Sequence, residues 1–233
     1  MSDESVVAKG LFGEYKDESF SYFQTKRHEM LGYIPQTASI ILDVGCASGS
    51  FGQILKSARS VEVWGIEPNE RAAEIAAQTL DKVICGKFDS SLNIPKKSFD
   101  CIVFNDVLEH LVDPYSALNY CHKLLKKKGI IVASIPNVRY FDNMWNLLVK
   151  KNWEYAESGI LDKTHLRFFT HKSIISTFDE AGYYVEFIEG INPLEKMHPH
   201  LVKKFKFINR LLFNNIEDMR YLQFAIVAKP KQY

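Results

Sequence analysis

The stretch Ser39-Ile-Ile-Leu-Asp-Val-Gly-Cys-Ala-Ser-Gly49 decides the fold of this 233-residue chain. Its first half is an apolar run of strand length that carries one acidic residue, Asp43, close to its end. Its second half is a turn with two glycines, which let a backbone reverse tightly and approach a ligand closely. Residues 51–58 follow with helical spacing of apolar side chains, so the stretch predicts a buried strand, a tight turn and a helix.

Outward from this turn, further apolar runs of strand length alternate with helical patterns. The predicted strands cover residues 39–44, 61–66, 82–85, 99–104 and 129–135, and the helices cover 51–58, 70–80 and 115–126. We interpret Gly129 as the glycine that ends the third of these helices. Because the strands are apolar throughout, both faces of the sheet must be covered. The alternation therefore predicts a doubly wound, Rossmann-like α/β domain with three layers, α/β/α.

The flanking segments are less regular. We predict a helix at 21–35, an aromatic and histidine-rich stretch without regular alternation at 138–172, a helix at 172–181, a strand at 184–189, helical structure at 191–220 and a last strand at 222–228. We expect a single domain spanning 1–233, made of an N-terminal helical cap (1–37), a cofactor-binding core (38–137) and two substrate-side insertions (138–172 and 191–220).

Composition and charge are those of an ordinary globular protein, with 46% hydrophobic and 24% charged residues. The formal charge of +1 provides no general attraction to nucleic acid or to acidic membranes. The four cysteines form no CxxC or CxH pattern, so we expect no zinc site, no redox pair and no other metal. The acidic N-terminus is unlike a signal peptide, and no stretch reaches about 18 uncharged apolar residues. We expect a cytoplasmic protein without stable membrane insertion.

Acidic residues stand at the ends of the first two predicted strands, where open parallel sheets bind their ligands. Asp43 would repel a pyrophosphate but suits a ligand with an ammonium and a sulfonium group. The N-terminus of the next helix could hold that ligand's carboxylate. Glu67 can accept two hydrogen bonds from ribose hydroxyls. The alternative for Glu67 is a solvated helix cap.

The third and fourth strands end in two further polar segments. Asp89 could accept a hydrogen bond from an adenine amine, with Phe88 covering the ring, or it could be a plain turn aspartate. The segment Asn105-Asp-Val-Leu-Glu-His110 would close the pocket near the reacting group. Together, these four strand ends predict one ligand-binding edge.

Taken in order, these motifs resemble class I S-adenosylmethionine-dependent methyltransferases over about residues 38–137, including the Phe99-Asp100 pair and residues 125–129. The resemblance implies S-adenosylmethionine as cofactor, S-adenosylhomocysteine as product, and a seven-stranded sheet with its last strand antiparallel. It also implies that residues 15–27 fold over the cofactor, with Tyr15, Tyr22 or Arg27 touching it. The implied cofactor-binding residues are Tyr22, Asp43, Gly45, Cys46, Ala47, Gly49, Glu67, Pro68, Phe88, Asp89, Asn105, Asp106 and Val107. Ala47 departs from the family, which often has its second glycine there.

A second resemblance concerns the acceptor. Ser134-Ile-Pro-Asn137 and Gly159-Ile-Leu-Asp-Lys-Thr-His-Leu-Arg-Phe-Phe-Thr170 are similar to a bacterial methyltransferase subgroup whose members often accompany surface-glycan or natural-product genes. By analogy, this resemblance implies a small-molecule acceptor, a hydroxyl of a sugar, glycan precursor or related metabolite.

Methyl transfer from a sulfonium is an in-line displacement that depends mainly on positioning and on exclusion of water. A hydroxyl acceptor gains from a general base, for which His165 is the first candidate and His110 the second. Asp162 could orient or charge-stabilise His165. Alternatively, Asp162, His165 and Arg167 bond to the backbone and hold an irregular loop together, and His110 is a buried structural histidine.

Other functions stay open at this point. They are quinone-type aromatic O- or C-methylation, N-methylation of amino sugars, a non-catalytic S-adenosylmethionine-binding protein, and a nicotinamide-dependent oxidoreductase, which the lack of GxGxxG disfavours. No basic RNA-binding appendage is evident, so we expect no nucleic-acid partner. The basic and apolar segment 196–213 could bind a membrane surface or an anionic carrier, or pack on its own domain or on a second copy in a homodimer.

Overall fold

The structure, a computed structural model, describes residues 27–231. Its strands are β1 Ile40–Val44, β2 Glu62–Glu67, β3 Lys82–Cys85, β4 Phe99–Asn105, β5 Leu125–Pro136, β6 Tyr183–Pro193 and β7 Tyr221–Pro230. They form one sheet in the order β3-β2-β1-β4-β5-β7-β6, with β1 to β5 parallel and β7 antiparallel to β5 and β6. The predicted Rossmann-like sheet with its last strand antiparallel is confirmed. The predicted contacts of Tyr15 and Tyr22 lie outside the described residues.

The α-helices are α1 Ser50–Ala58, α2 Glu70–Ala76, α3 Pro114–Leu124, α4 Phe141–Leu148, α5 His171–Glu180, α6 Leu194–Met197 and α7 Val202–Leu211. Short polar side chains begin three of them: Asn69, Asp113 and Thr170 each accept a hydrogen bond from a backbone N–H of the first turn. These caps fix where α2, α3 and α5 start, and the caps of α2 and α3 thereby set the length of the segments that follow β2 and β4.

Three details differ from the sequence-based expectation. Gly129 does not end α3; it lies inside β5, which begins directly after the helix at Leu125. A side chain at Gly129 would come within 2.9 Å of the Phe99 carbonyl oxygen, so close packing against β4 explains the glycine. The irregular stretch 138–172 contains a regular helix, α4. Of the helix predicted at 21–35, the described part is a 3-10 helix, His28–Tyr33.

The core has two large layers, one on each side of the sheet, and a third, smaller apolar cluster. The third cluster joins the two predicted insertions and contains Tyr140, Phe141, Leu194, Leu201, Phe205 and Met219. Phe141 of α4 packs edge-to-face on Phe205 of α7, with ring centroids 5.3 Å apart. The two insertions are therefore one packed unit beside the sheet. Across residues 27–231, the helices are all too short or too polar to cross a membrane.

β1 and β4 are neighbours at the centre of the sheet, and the strand order reverses between them. In open α/β sheets, the crevice outside the carboxyl ends of the strands at such a point is where ligands bind. A ligand is therefore expected beside the residues that follow Val44 and Phe104.

Candidate active site

The turn after β1 is built on left-handed backbone. Gly45, Ala47 and Gly49 have φ angles of 70°, 48° and 81°. The amides of Gly45 and Cys46 both donate to the Ile66 carbonyl oxygen, at 2.8 and 3.1 Å, which ties the turn to β2. Ala47 is strained, since an L-residue with a side chain rarely adopts this region. This explains why glycine is frequent at the equivalent position of the class that the sequence resembles.

Substitutions at Gly45 and Ala47 are expected to affect the stability of the protein differently. A Cβ at Gly45 would lie 2.6 Å from Val107 Cγ2, so Gly45→Ala is expected to lower the free energy of unfolding by about 2 kcal/mol. Ala47→Gly removes left-handed strain and is expected to leave stability unchanged or raise it by up to about 1 kcal/mol. Urea unfolding of both variants measures the difference. Equal destabilisation by the two substitutions would contradict this assignment of strain.

Two buried carboxylates face the turn from β1 and β2. Burial, reinforced by the nearby Glu67, raises the pKa of Asp43 to about 8. Glu67 Oε2 accepts from the Ala47 amide and Oε1 accepts from the Asn69 amide, both at 2.9 Å. Burial also raises the pKa of Glu67, although these two hydrogen bonds oppose the effect. Glu67 thus holds the turn in shape and still has lone pairs for further donors.

The other residues predicted to bind the cofactor lie in three different environments: buried, packed against the core and exposed. The Cys46 side chain is buried and points toward Gly65 of β2, so only its backbone belongs to the turn. Phe88 packs on Phe104, with ring centroids 5.7 Å apart, and Pro68 is exposed. Asp89 is also exposed and accepts a hydrogen bond from the Ser91 amide at 2.8 Å, the bond of an aspartate that stabilises a turn. Hydrogen bonds from the Ser91 side chain and then from its amide lower the pKa of Asp89.

Buried polar atoms without partners concentrate at the carboxyl ends of β1 and β4. Asp43 Oδ2, both amide atoms of Asn105 and both carboxylate oxygens of Glu109 have no hydrogen-bond partner within the described part of the chain. Such groups are nearly always paired in folded proteins, because burying them alone is unfavourable. Their concentration at the centre of the sheet is what a site awaiting a polar ligand would show.

Asp106 directly follows β4 and has a φ angle of 55°. Its carboxylate is already paired within the protein. Its Oδ2 forms an ion pair with Arg27 at 2.7 Å, and its Oδ1 accepts from Ser134 and Gln223. Arg27 also donates to Ser134 Oγ at 2.7 Å. Sequence reasoning expected Asp106 and Arg27 to touch the cofactor. In the structure they pair with each other, and Arg27, the first described residue, is held to β5 and β7. Their contacts with the cofactor stay a prediction.

Three ionisable side chains lie together beyond Asp106: Glu109 and His165 are buried, and His110 is half-buried. The carboxylate of Glu109 is 1% exposed, and its Oε1 lies 3.9 Å from His165 Nε2. The rings of His165 and His110 meet edge-to-face, with centroids 4.6 Å apart. Burial raises the pKa of Glu109 well above its usual range, whereas burial and the neighbouring His165 lower the pKa of His110. Oxygen and nitrogen ligand atoms of all three lie within 4.8 Å of one another, so the group could hold a metal ion.

Asp162 does not hold the His165 ring. Its Oδ1 accepts from the Thr164 amide at 2.8 Å and from the Thr164 hydroxyl at 2.6 Å, while His165 Nδ1 contacts the Ile160 carbonyl oxygen at 2.9 Å. The carboxylate that faces His165 is Glu109. The prediction that Asp162 is the acid that pairs with His165 is therefore wrong, because the Asp162 side chain closes the turn that presents His165.

The loop that carries His165 is fastened directly to the end of β4. The amides of Leu166 and Arg167 donate to the Glu109 carbonyl oxygen at 2.8 and 3.0 Å, and Arg167 Nη2 donates to the Val112 carbonyl oxygen. These bonds agree with the alternative that Arg167 holds the loop together. Sequence reasoning gave Glu109 no role of its own beyond its place in the segment 105–110 that would close the pocket, although a glutamate between Leu108 and His110 was a sign of a buried acid.

Comparison with known proteins shows the family of the chain. Residues 15–186 match a family described as "Methyltransferase domain". The chain belongs to this family. The methyltransferase is 30% identical over 189 residues to a protein named ubiquinone biosynthesis O-methyltransferase in Haemophilus ducreyi, covering 75% of this chain and 76% of that one. A protein with the same name in Thiobacillus denitrificans is 26% identical over 175 residues, covering 70% and 73%.

Solved structures share the fold. A "SAM dependent methyltransferase" from Archaeoglobus fulgidus superimposes with a TM-score of 0.66 at 21% identity, covering 93% of this chain and all of that one. An "S-adenosylmethionine dependent methyltransferase" from Mesorhizobium loti gives a TM-score of 0.60 at 17% identity, covering 86% and 95%. Membership of the methyltransferase-domain family makes the chain an S-adenosylmethionine-dependent methyltransferase, and the solved structures share its Rossmann-like fold.

The residues at the strand ends fit S-adenosylmethionine. The unpaired oxygen of Asp43 suits an ammonium group, and Glu67 keeps acceptor capacity for ribose hydroxyls after serving the turn. The left-handed backbone from Gly45 to Gly49 makes a tight turn at the carboxyl end of β1, where a ligand can approach the main chain. The donor and acceptor types therefore correspond to the cofactor's own groups.

Proposed function

We propose that the methyltransferase methylates a hydroxyl of a small-molecule acceptor, a sugar, glycan precursor or related metabolite. The observation that carries this proposal is the group of Glu109, His110 and His165 at the carboxyl end of β4, next to the turn that fits the cofactor. Transfer to a hydroxyl requires removal of a proton, and this group is equipped to take part in that step. S-adenosylmethionine, when bound, supplies a methyl group made electrophilic by its sulfonium.

His165 is held in one tautomer by its surroundings. Because Nδ1 lies 2.9 Å from a carbonyl oxygen, that of Ile160, Nδ1 carries the hydrogen and the lone pair of the neutral ring sits on Nε2. Nε2 faces the Glu109 carboxylate across 3.9 Å. An acceptor hydroxyl that meets Nε2 would pass its proton to His165, and Glu109 would stabilise the resulting imidazolium.

The two insertions supply the walls of the acceptor pocket in this proposal. They pack on each other through the third apolar cluster, and the loop that carries His165 emerges between α4 and α5. A pocket wall made of Tyr140, Phe141 and their neighbours excludes water, which strengthens the electrostatic contacts of the reacting groups. Acceptor specificity accordingly depends on these insertions more than on the sheet.

A phenolic hydroxyl of a quinone-type aromatic is the second candidate acceptor. It is favoured by the relatives named ubiquinone biosynthesis O-methyltransferase, which the chain matches over about three quarters of its length. The same group would serve either hydroxyl. A phenol ionises more readily than a sugar hydroxyl, so it depends less on the base.

Replacing His165 by asparagine is expected to lower kcat by about 100-fold or more while the affinity for S-adenosylmethionine stays unchanged. Asparagine can still donate to the Ile160 carbonyl oxygen, so the loop keeps its bond but loses Nε2. The assay is transfer of a labelled methyl group to a panel of nucleotide sugars, free sugars and catechols. His200→Asn, at an exposed histidine, is the control.

The panel separates the candidates. Turnover of sugars supports the first proposal, and turnover of catechols alone replaces it with the second. Cofactor binding without turnover of any acceptor class would contradict both and support the non-catalytic alternative. Unchanged kcat in His165→Asn would remove His165 from the reaction.

A further inference from the structure

The two histidines of this group are arranged alike: in each, Nδ1 contacts an oxygen atom of the protein and Nε2 is available to another partner. His165 Nδ1 donates to the Ile160 carbonyl oxygen at 2.9 Å. His110 Nδ1 lies 3.0 Å from Thr164 Oγ1 and 3.3 Å from the Thr164 carbonyl oxygen. The Thr164 hydroxyl already donates to Asp162 at 2.6 Å, so its oxygen is an acceptor toward His110. Both rings therefore carry their hydrogen on Nδ1 and present a lone pair at Nε2.

The third member of the group presents lone pairs as well. Glu109 is buried, and neither carboxylate oxygen has a hydrogen-bond partner in the described part of the chain. The 3.9 Å between His165 Nε2 and Glu109 Oε1 is too long for a hydrogen bond. Potential ligand atoms of the buried Glu109 and His165 and of the half-buried His110 thus lie together, and a metal ion would displace the proton that burial favours on Glu109. No hydrogen bond joins the three side chains to one another, whereas a positive ion at their centre would engage all three.

We propose that Glu109, His110 and His165 bind one divalent transition-metal ion of the zinc class. Two imidazoles and one carboxylate, with coordination positions left for other ligands, form a known type of catalytic donor set. Metal-bound histidines commonly donate their second nitrogen to a carbonyl or similar oxygen, as both rings do here. The ligand atoms lie within 4.8 Å of one another. An ion would draw them to about 3.4 Å, a closure within reach of side-chain rotation.

This inference rests on the proposed function and makes it more specific. An open coordination position would take the acceptor oxygen, and the charge of the ion would favour loss of the hydroxyl proton to solvent. The oxygen would keep the electron pair of its O–H bond and use that pair to form the bond to the methyl carbon, as the carbon–sulfur bond breaks toward sulfur. With the ion bound, His165 is a ligand; in the metal-free enzyme it is the base.

The test is metal binding by the untagged, chelator-treated protein. We expect one equivalent of Co²⁺ to produce the visible absorption bands of a protein-bound ion, and Zn²⁺ to displace it. Glu109→Gln and His165→Asn are expected to weaken binding by about 100-fold or more, and Thr164→Val, which frees the His110 ring, by about 10-fold. His200→Asn is the matched control and should bind as the wild type does.

Calorimetry with S-adenosylmethionine on the metal-free protein keeps this test separate from the proposed function. Absence of a Co²⁺ spectrum, or equal binding by wild type and Glu109→Gln, would overturn the metal site while leaving the hydroxyl methylation standing. A bound ion without turnover of any acceptor would leave the site intact and overturn the proposed function. Methyl transfer by the chelated enzyme at an unchanged rate would show that the ion has no role in the reaction and would overturn the catalytic part of the inference.

Discussion

Glu67→Ala is expected to weaken binding of S-adenosylmethionine by about 100-fold or more, because one carboxylate shapes the turn and is also the proposed acceptor for the ribose hydroxyls. In the free protein, Glu67 accepts from the amides of Ala47 and Asn69, each at 2.9 Å. Each hydrogen bond to a charged group contributes about 1.5–3 kcal/mol. Alanine leaves both amides unpaired and removes the acceptors proposed for the ribose hydroxyls. Isothermal calorimetry with S-adenosylmethionine, S-adenosylhomocysteine and NAD measures the loss.

Glu62→Ala is the matched control, since Glu62 begins the same strand at its exposed end and accepts from Trp64 Nε1. This control is expected to bind both adenosyl ligands as the wild type does. NAD is expected not to bind to any of the three proteins. Unchanged affinity in Glu67→Ala would mean that the cofactor lies elsewhere, and would also remove the argument that places the acceptor beside Glu109.

Most of the fold was predictable, because the features that specify it are local. The strand that ends at Asp43, the turn after it and the next helix are contiguous, and each has its own periodicity or turn residue. The positions of Glu67 and Asp89 followed from the same strand-end rule. Helix α4 was also predictable, since Phe141, Met144, Trp145 and Leu148 repeat at helical spacing; the surrounding aromatics obscured the pattern.

The partners within the site were less predictable, because they are set by contacts between distant segments. Asp162 was a reasonable partner for His165, being three residues away. The structure instead bonds Asp162 to Thr164, and brings Glu109 to His165 through amide bonds from the loop to the end of β4. The pairing of Arg27 with Asp106 depends likewise on tertiary structure. No local pattern encodes such pairs, whereas burial of a lone glutamate is a signal that sequence does carry.

Asp43→Asn is expected to stabilise the free protein and to impair cofactor binding, with both effects depending on pH. Burial and the nearby Glu67 raise the pKa of Asp43 from 3.8 to about 8. Between these two values the unfolded chain is ionised at Asp43 and the folded protein is protonated, so folding takes up a proton and stability falls as the pH rises. Removing the ionisable group is therefore expected to raise the free energy of unfolding by about 5 kcal/mol at pH 8, and by less than about 1 kcal/mol at pH 4. Thermal unfolding at both pH values measures this.

The same titration should appear in the cofactor affinity, because an ammonium group binds the ionised form of Asp43 and not the neutral acid. The wild type is expected to bind S-adenosylmethionine more tightly as the pH rises toward 8, whereas Asp43→Asn binds weakly with little dependence on pH. Asp100→Asn is the contrasting control: although burial opposes it, hydrogen bonds from Lys126, Ile40 and Ser39 hold the pKa of Asp100 at about 2. That variant is expected to lose stability at neutral pH and to keep the wild-type cofactor profile. If Asp43→Asn bound the cofactor as well as the wild type, Asp43 would be a structural acid, and its unpaired oxygen would need another explanation.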